Sequence, residues 1–135
     1  MEKLNQVLSD DEIRQAIFSI QPFKVHGIDG LHVVFYQSQW DVVRDSVCTL
    51  VKRGFAGSSL HKEINKTLIV LIPKTDNPSS LKMYRSISLC PVIYKTITKI
   101  VANRLKTTLP NLIGLTQTSF LPGRHITNNI VIAQE

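Results

Sequence analysis

Between Ser9 and Pro22, the apolar side chains Ile13, Ala16, Ile17 and Ile20 recur at steps of three and four. That spacing gathers them into one stripe of an α-helix. Ser9-Asp10-Asp11-Glu12 reads as its start, with the serine hydroxyl taking an early backbone N–H and Glu12 reaching back to the cap. Asp10 and Asp11 also suit the positive end of the helix dipole. Pro22 is expected to end this helix. A turn at Gly27-Ile28-Asp29-Gly30 leads into a second helical stretch from about Leu31 to Arg53. There Leu31, Val34, Phe35, Val43, Val47, Leu50 and Val51 keep the helical spacing. Phe35 and Trp40 are expected in the core, and Gly54 and Gly57 supply the stop.

The period then changes. Residues 67–72 form a β-branched, apolar run ended by Pro73, which predicts a buried strand. Residues 74–84 hold Asp76, Asn77, Pro78 and two serines and read as a loop. Ser86-Ile87-Ser88-Leu89 alternates as a second strand would, so the two runs predict a hairpin with a long connection. From Val92 to Leu109 the helical period returns. Ile93, Ile97, Ile100, Val101 and Leu105 are expected to face inward, and Lys95, Lys99, Arg104 and Lys106 to form a basic face that is solvated or, alternatively, weakly attracts phosphate. Pro110 is expected to end the helix, Pro122-Gly123 makes a turn, and a last helix is expected from Thr127 or Asn128. The pattern predicts an α+β fold, mostly helical, with one short antiparallel strand pair.

Composition fits a globular chain of one domain or part of one: 135 residues, 43% apolar and 19% charged. No apolar run approaches the roughly 20 residues that span a bilayer, so no membrane partner is expected. The polar start, Met1 to Gln6, is not a secretory signal. The expected location is intracellular, with the nucleus as one option. Cys48 and Cys90 have no partner motif and read as free thiols. The four histidines have no metal-ligand spacing with them, so no metal site is expected. Charge is uneven. Residues 1–45 carry four Lys/Arg and seven Asp/Glu, a net −3, whereas residues 46–135 carry twelve and three, a net +9. That asymmetry suits either a polyanion partner or a solvated basic surface.

Several short motifs stand in order along the chain. They begin with Lys24-Val25-His26-Gly27-Ile28-Asp29-Gly30-Leu31, followed by Phe35-Tyr36-Gln37 with Trp40-Asp41. Asn65-Lys66-Thr67 runs into Leu71-Ile72-Pro73-Lys74, and then comes Tyr84-Arg85-Ser86-Ile87-Ser88-Leu89-Cys90. Tyr94-Lys95, Ala102-Asn103-Arg104-Leu105 and Gln117-Thr118-Ser119-Phe120-Leu121-Pro122-Gly123-Arg124 complete the set. Together they resemble the reverse transcriptases of non-LTR retrotransposons, especially those common in plants. The resemblance spans nearly the whole chain. It departs at Val25 and Ile28 in the first turn, at Ser86 after the arginine, and at Pro91, the pattern expected of a decayed copy.

The resemblance implies a partial right-hand polymerase: residues 1–135 as fingers and the beginning of the palm, truncated before the catalytic aspartates. It implies that Lys74 and Arg85 bind the triphosphate of the incoming nucleotide. It likewise implies that Lys24, Gly27, Asp29 and Gly30 meet the template strand, and that Gln117, Phe120, Gly123 and Arg124 line the template and primer path. Implied partners are an RNA template, a DNA primer and deoxynucleoside triphosphates. Lysine and arginine suit phosphate as a point charge and a bidentate fork. Phe120 also reads as core, and the 24–30 segment also reads as a plain turn between helices.

Polymerisation needs more. In-line nucleotidyl transfer uses two Mg²⁺ ions held by carboxylates, and the complete family enzyme uses Mg²⁺. Here Asp10 and Asp11 belong to a helix cap, Asp29 to a turn and Asp76 to a loop. Asp41 and Asp45, four apart, read as a solvated face. No catalytic residue and no cofactor is therefore assigned, and the chain is expected to grip without polymerising alone. Two alternatives stay open: a basic nucleic-acid-binding remnant, and a decayed product with no selected role.

Overall fold

The computed structural model describes residues 6–57 and 62–113. The fold is α+β: α1 (Asp10–Phe18), α2 (Val33–Ser38), α3 (Trp40–Phe55), β1 (Leu68–Pro73), β2 (Tyr84–Leu89) and α4 (Val92–Leu112), with single 3₁₀ turns at Lys62–Asn65 and Leu81–Met83. The chain divides into two units, Val7–Ile100, and Met1–Gln6 with Val101–Glu135.

The first helix starts as its sequence dictates. Ser9 is extended, and its hydroxyl accepts the Glu12 N–H at 3.2 Å. The helix ends earlier than Pro22. The Ser19 N–H bonds the Gln15 carbonyl at 3.0 Å and its hydroxyl bonds the Ala16 carbonyl at 2.7 Å, so α1 stops at Phe18. A serine that bonds the preceding turn satisfies the orphan carbonyls without a proline.

The single stretch expected over 31–53 is two helices. Leu31 lies outside both, and Gln39 breaks the run with φ −106° and ψ 24°. Gln37 next to the break donates its side-chain amide to the carbonyls of Ile17 and Ile20, at 3.1 and 3.0 Å. Trp40 begins α3 edge-on to Phe18, with ring centroids 6.1 Å apart. The bend thus seals the open end of α1 and seats the indole at once. Gly54 lies inside α3, which ends at Phe55, and Gly57 follows with φ +73°.

Ile13, Ala16 and Ile17 of α1, Val33 and Tyr36 of α2, Trp40, Val47, Cys48 and Val51 of α3, and Val92, Ile93 and Ile100 of α4 form one core. Fully burying a side chain of this kind is worth roughly 1.5–3 kcal/mol. Thr96 is buried with them, its hydroxyl satisfied by the Val92 carbonyl at 2.9 Å. Phe35, expected in the core, is instead exposed. Val101 and Leu105, expected to face inward, are also exposed, because the buried part of α4 ends at Ile100. Nor does Pro110 end that helix: it runs to Leu112, and the Ile113 N–H bonds the Leu109 carbonyl at 3.0 Å. A proline removes one N–H donor and leaves the later ones free to continue the ladder.

Strands β1 and β2 pair antiparallel, from Leu68↔Leu89 to Pro73↔Tyr84. The hairpin matches its sequence, but the burial does not. All six residues of β1 are exposed, since the sheet has two strands and no layer covers either face among the described residues.

Asp10 has a second role beyond the cap. Its carboxylate meets Lys52 at 2.6 Å and Arg44 at 3.4 Å, fastening α1 to α3. The Lys52 bond holds the Asp10 carboxyl below the ordinary range, and burial pushes the nearby Cys48 thiol up. A carboxyl lowered on folding stabilises the native state above its unfolded pKa and loses that effect as pH falls through the folded value. Thermal melts of the chain and of Asp10→Asn should therefore differ at neutral pH and converge in acid, below the ordinary carboxylate range.

Candidate functional site

Lys74 and Arg85 lie at the same end of the hairpin. Arg85 stands opposite Ile72, and cross-strand partners share a face. Lys74 lies two residues beyond Ile72, just past β1, at the same end of the hairpin. Its backbone N–H donates to the Met83 carbonyl at 2.7 Å, extending the pairing one step past the strands. The Lys74 ammonium donates to the Lys82 carbonyl at 2.8 Å, closing the 74–83 connection on itself. Met83 also accepts from the Ser79 N–H and hydroxyl through its sulfur, at 3.4 and 3.7 Å. Arg85 is exposed, and no hydrogen bond or ion pair engages its guanidinium among the described residues. The arrangement is one anchored cation beside one unengaged fork, both in reach of solvent.

The 24–30 turn is built by two different glycine requirements. Gly30 has φ +70° and open space around it, so conformation selects glycine there. Gly27 is selected by space. A Cβ on it would clash with the Pro91 nitrogen and would lie 2.6 Å from the Cys90 carbonyl carbon and 2.8 Å from Pro91 Cα, all backbone atoms. The backbone that crowds this glycine is the junction between β2 and α4. Asp29 accepts the Leu31 N–H at 3.4 Å, and the Gly30 N–H bonds the Gly27 carbonyl at 3.2 Å. Asp29 also reaches Tyr36 electrostatically: burial first, and then this carboxylate, push the Tyr36 phenol up.

Two histidines brace the same turn. His26 Nδ1 lies 2.8 Å from the Gly27 carbonyl and His32 Nδ1 lies 3.3 Å from the Lys24 carbonyl. A carbonyl only accepts, so each Nδ1 carries its proton. The rings meet edge to face, with centroids 4.8 Å apart. Lys95, expected on a solvated face, is half-buried, and its ammonium donates to the Val25 carbonyl at 2.6 Å. Burial, and next the charge of Lys24, lower the Lys95 pKa. Arg104, expected on that same face, is also half-buried and donates to the Gln6 carbonyl at 2.9 Å. Sequence pattern missed Lys95 and His32 because their partners sit 70 and 8 residues away, outside any local period.

The acids are dispersed. Asp41 and Asp45 are exposed on α3, and Asp45 lines an open depression of about 420 Å³ with Ser46, Thr49, Leu50 and Arg53. Among the described residues no three His, Cys, Asp or Glu side chains gather where a metal ion would sit. No described helix is long and apolar enough to cross a membrane. Gln117, Phe120, Gly123 and Arg124, together with the turn and last helix expected near them, lie outside the described residues.

No protein-family profile matches the chain. The sequence is 28% identical over 134 residues to the Transposon TX1 uncharacterized 149 kDa protein of Xenopus laevis. The aligned region takes in 99% of this chain and 10% of that protein, so the chain spans about a tenth of its relative's length. The similarity gives the chain a transposon-derived origin.

Proposed function

From that transposon-derived origin, we propose that the chain carries the nucleotide and template grip of an RNA-directed DNA polymerase, the reverse transcriptase of a non-LTR retrotransposon. The observation that supports this most is that Lys74, just past β1, and Arg85 of β2 lie at the same end of the hairpin. Charge grows on a phosphoryl group during transfer, and fixed cations stabilise it. Arg85 offers the fork and Lys74 the point charge. The 24–30 turn presents Lys24 and Asp29 at the surface, where a template backbone would lie. The proposed partners are an RNA template, a DNA primer and deoxynucleoside triphosphates, with Mg²⁺ as the ion of the complete enzyme.

The carboxylates among the described residues are engaged elsewhere or stand apart on the surface. The chain alone is therefore proposed to bind and not to join nucleotides. Fluorescence anisotropy on a primed template across a salt series tests the grip. If four to six phosphates are neutralised, log affinity falls against log salt with a slope of about −4 to −5. A flat response, or no binding at low salt, contradicts the proposal, and primer extension by the chain with Mg²⁺ contradicts its inactivity.

A further inference from the structure

We infer that Lys95 is a positioning residue that holds the 24–30 turn so that Lys24 is aimed at a phosphate backbone. This rests on the nucleic-acid reading above. Lys24 is fixed from several sides while its own side chain stays exposed. Its N–H bonds the Gln21 carbonyl at 3.1 Å, its carbonyl takes the His32 ring, and the next carbonyl, Val25, takes the Lys95 ammonium. Two residues further on, Gly27 rests on the Cys90–Pro91 backbone, which leads directly into the helix that carries Lys95. A turn that merely joined two helices would need none of these distant ties.

The choice of tie is informative. A half-buried ammonium beside another lysine is a costly way to bond a neutral carbonyl, because burial and like charge both disfavour it. A polyanion on Lys24 removes that cost, since its charge offsets both cations. Lys95 then acts in two ways: through its hydrogen bond, which fixes the direction of Lys24, and through its charge, which is compensated only when the ligand is present. Its head group is committed to Val25, so it does not itself reach the ligand in this arrangement.

The test uses the full chain, a primed RNA template, and the variants Lys95→Met, Lys24→Met and the double variant. Lys99→Met serves as a control, removing the same charge one helical turn along α4. Lys95→Met should weaken binding about tenfold, the worth of one charge-assisted hydrogen bond, with little further loss when added to Lys24→Met. Lys99→Met should weaken it by about threefold or less. Independent, additive losses would make Lys95 a direct phosphate contact and overturn the inference. Trypsin supplies a readout that needs no ligand. Cleavage after Lys24 should quicken in Lys95→Met and not in Lys99→Met, at an unchanged melting temperature. Equal cleavage rates would show that Lys95 does not hold the turn. A wild-type chain that fails to bind the template removes the nucleic-acid reading and the aiming role, while the cleavage rates still report the tie.

Discussion

Gly27→Ala should cost about 3 kcal/mol, the upper end for an overpacked site, and lower the melting temperature by more than about 10 °C. The added methyl would meet the Pro91 nitrogen, the Cys90 carbonyl carbon and Pro91 Cα. These are backbone atoms on a segment pinned by β2 on one side and α4 on the other, so no side chain can swing away to make room. Gly30→Ala is the informative comparison. Nothing lies within 4 Å of its Cβ position, and only its φ of +70° resists a side chain. That left-handed strain is worth about 1–2 kcal/mol. Differential scanning calorimetry of both variants therefore separates space from conformation. Equal, small shifts at the two positions would mean that the turn does not rest on the Cys90–Pro91 junction.

Arg85→Ala should reduce nucleoside triphosphate affinity about tenfold to a hundredfold, measured by displacement of a fluorescent triphosphate. Hydrogen bonds to charged groups are worth about 1.5–3 kcal/mol, and each 1.4 kcal/mol is tenfold. Arg85→Lys should recover part of the loss, because it restores charge without the bidentate fork. Lys74→Ala should act differently. Its ammonium already bonds the Lys82 carbonyl, so the substitution also frees the 74–83 connection. Backbone amides in that connection should exchange faster in Lys74→Ala and not in Arg85→Ala. A triphosphate affinity indifferent to both substitutions would leave the hairpin cations as surface charge.

Local chemistry made much of this fold legible. The Ser9 cap, the Ile13–Ala16–Ile17 stripe and the switch of period at the hairpin all act within a few residues, and the structure bears them out. What the pattern could not show was decided at long range. Gln39 interrupts an intact helical period because Gln37 and Trp40 complete the end of α1. The run at 68–73 is apolar enough for a core strand, yet burial depends on a covering layer and not on composition. Phe35 kept the helical spacing but fell on the open side of a helix only six residues long.

The site divides in the same way. Lys74 and Arg85 stand at one end of the hairpin because the two strand runs pair as their periodicity predicts, with Arg85 opposite Ile72 and Lys74 just past β1. Lys95 read as one of several exposed lysines because its carbonyl partner lies 70 positions away. Gly27 read as a turn glycine; that it supports Cys90 and Pro91 follows only from the packing of the folded chain.

The most direct test of the grip is an NMR titration of the isotope-labelled chain with a nucleoside triphosphate. Amide shifts should concentrate at Lys74, Met83 and Arg85 and be abolished by Arg85→Ala. Shifts absent at millimolar triphosphate, or clustered away from the hairpin end and unaffected by that substitution, would contradict it.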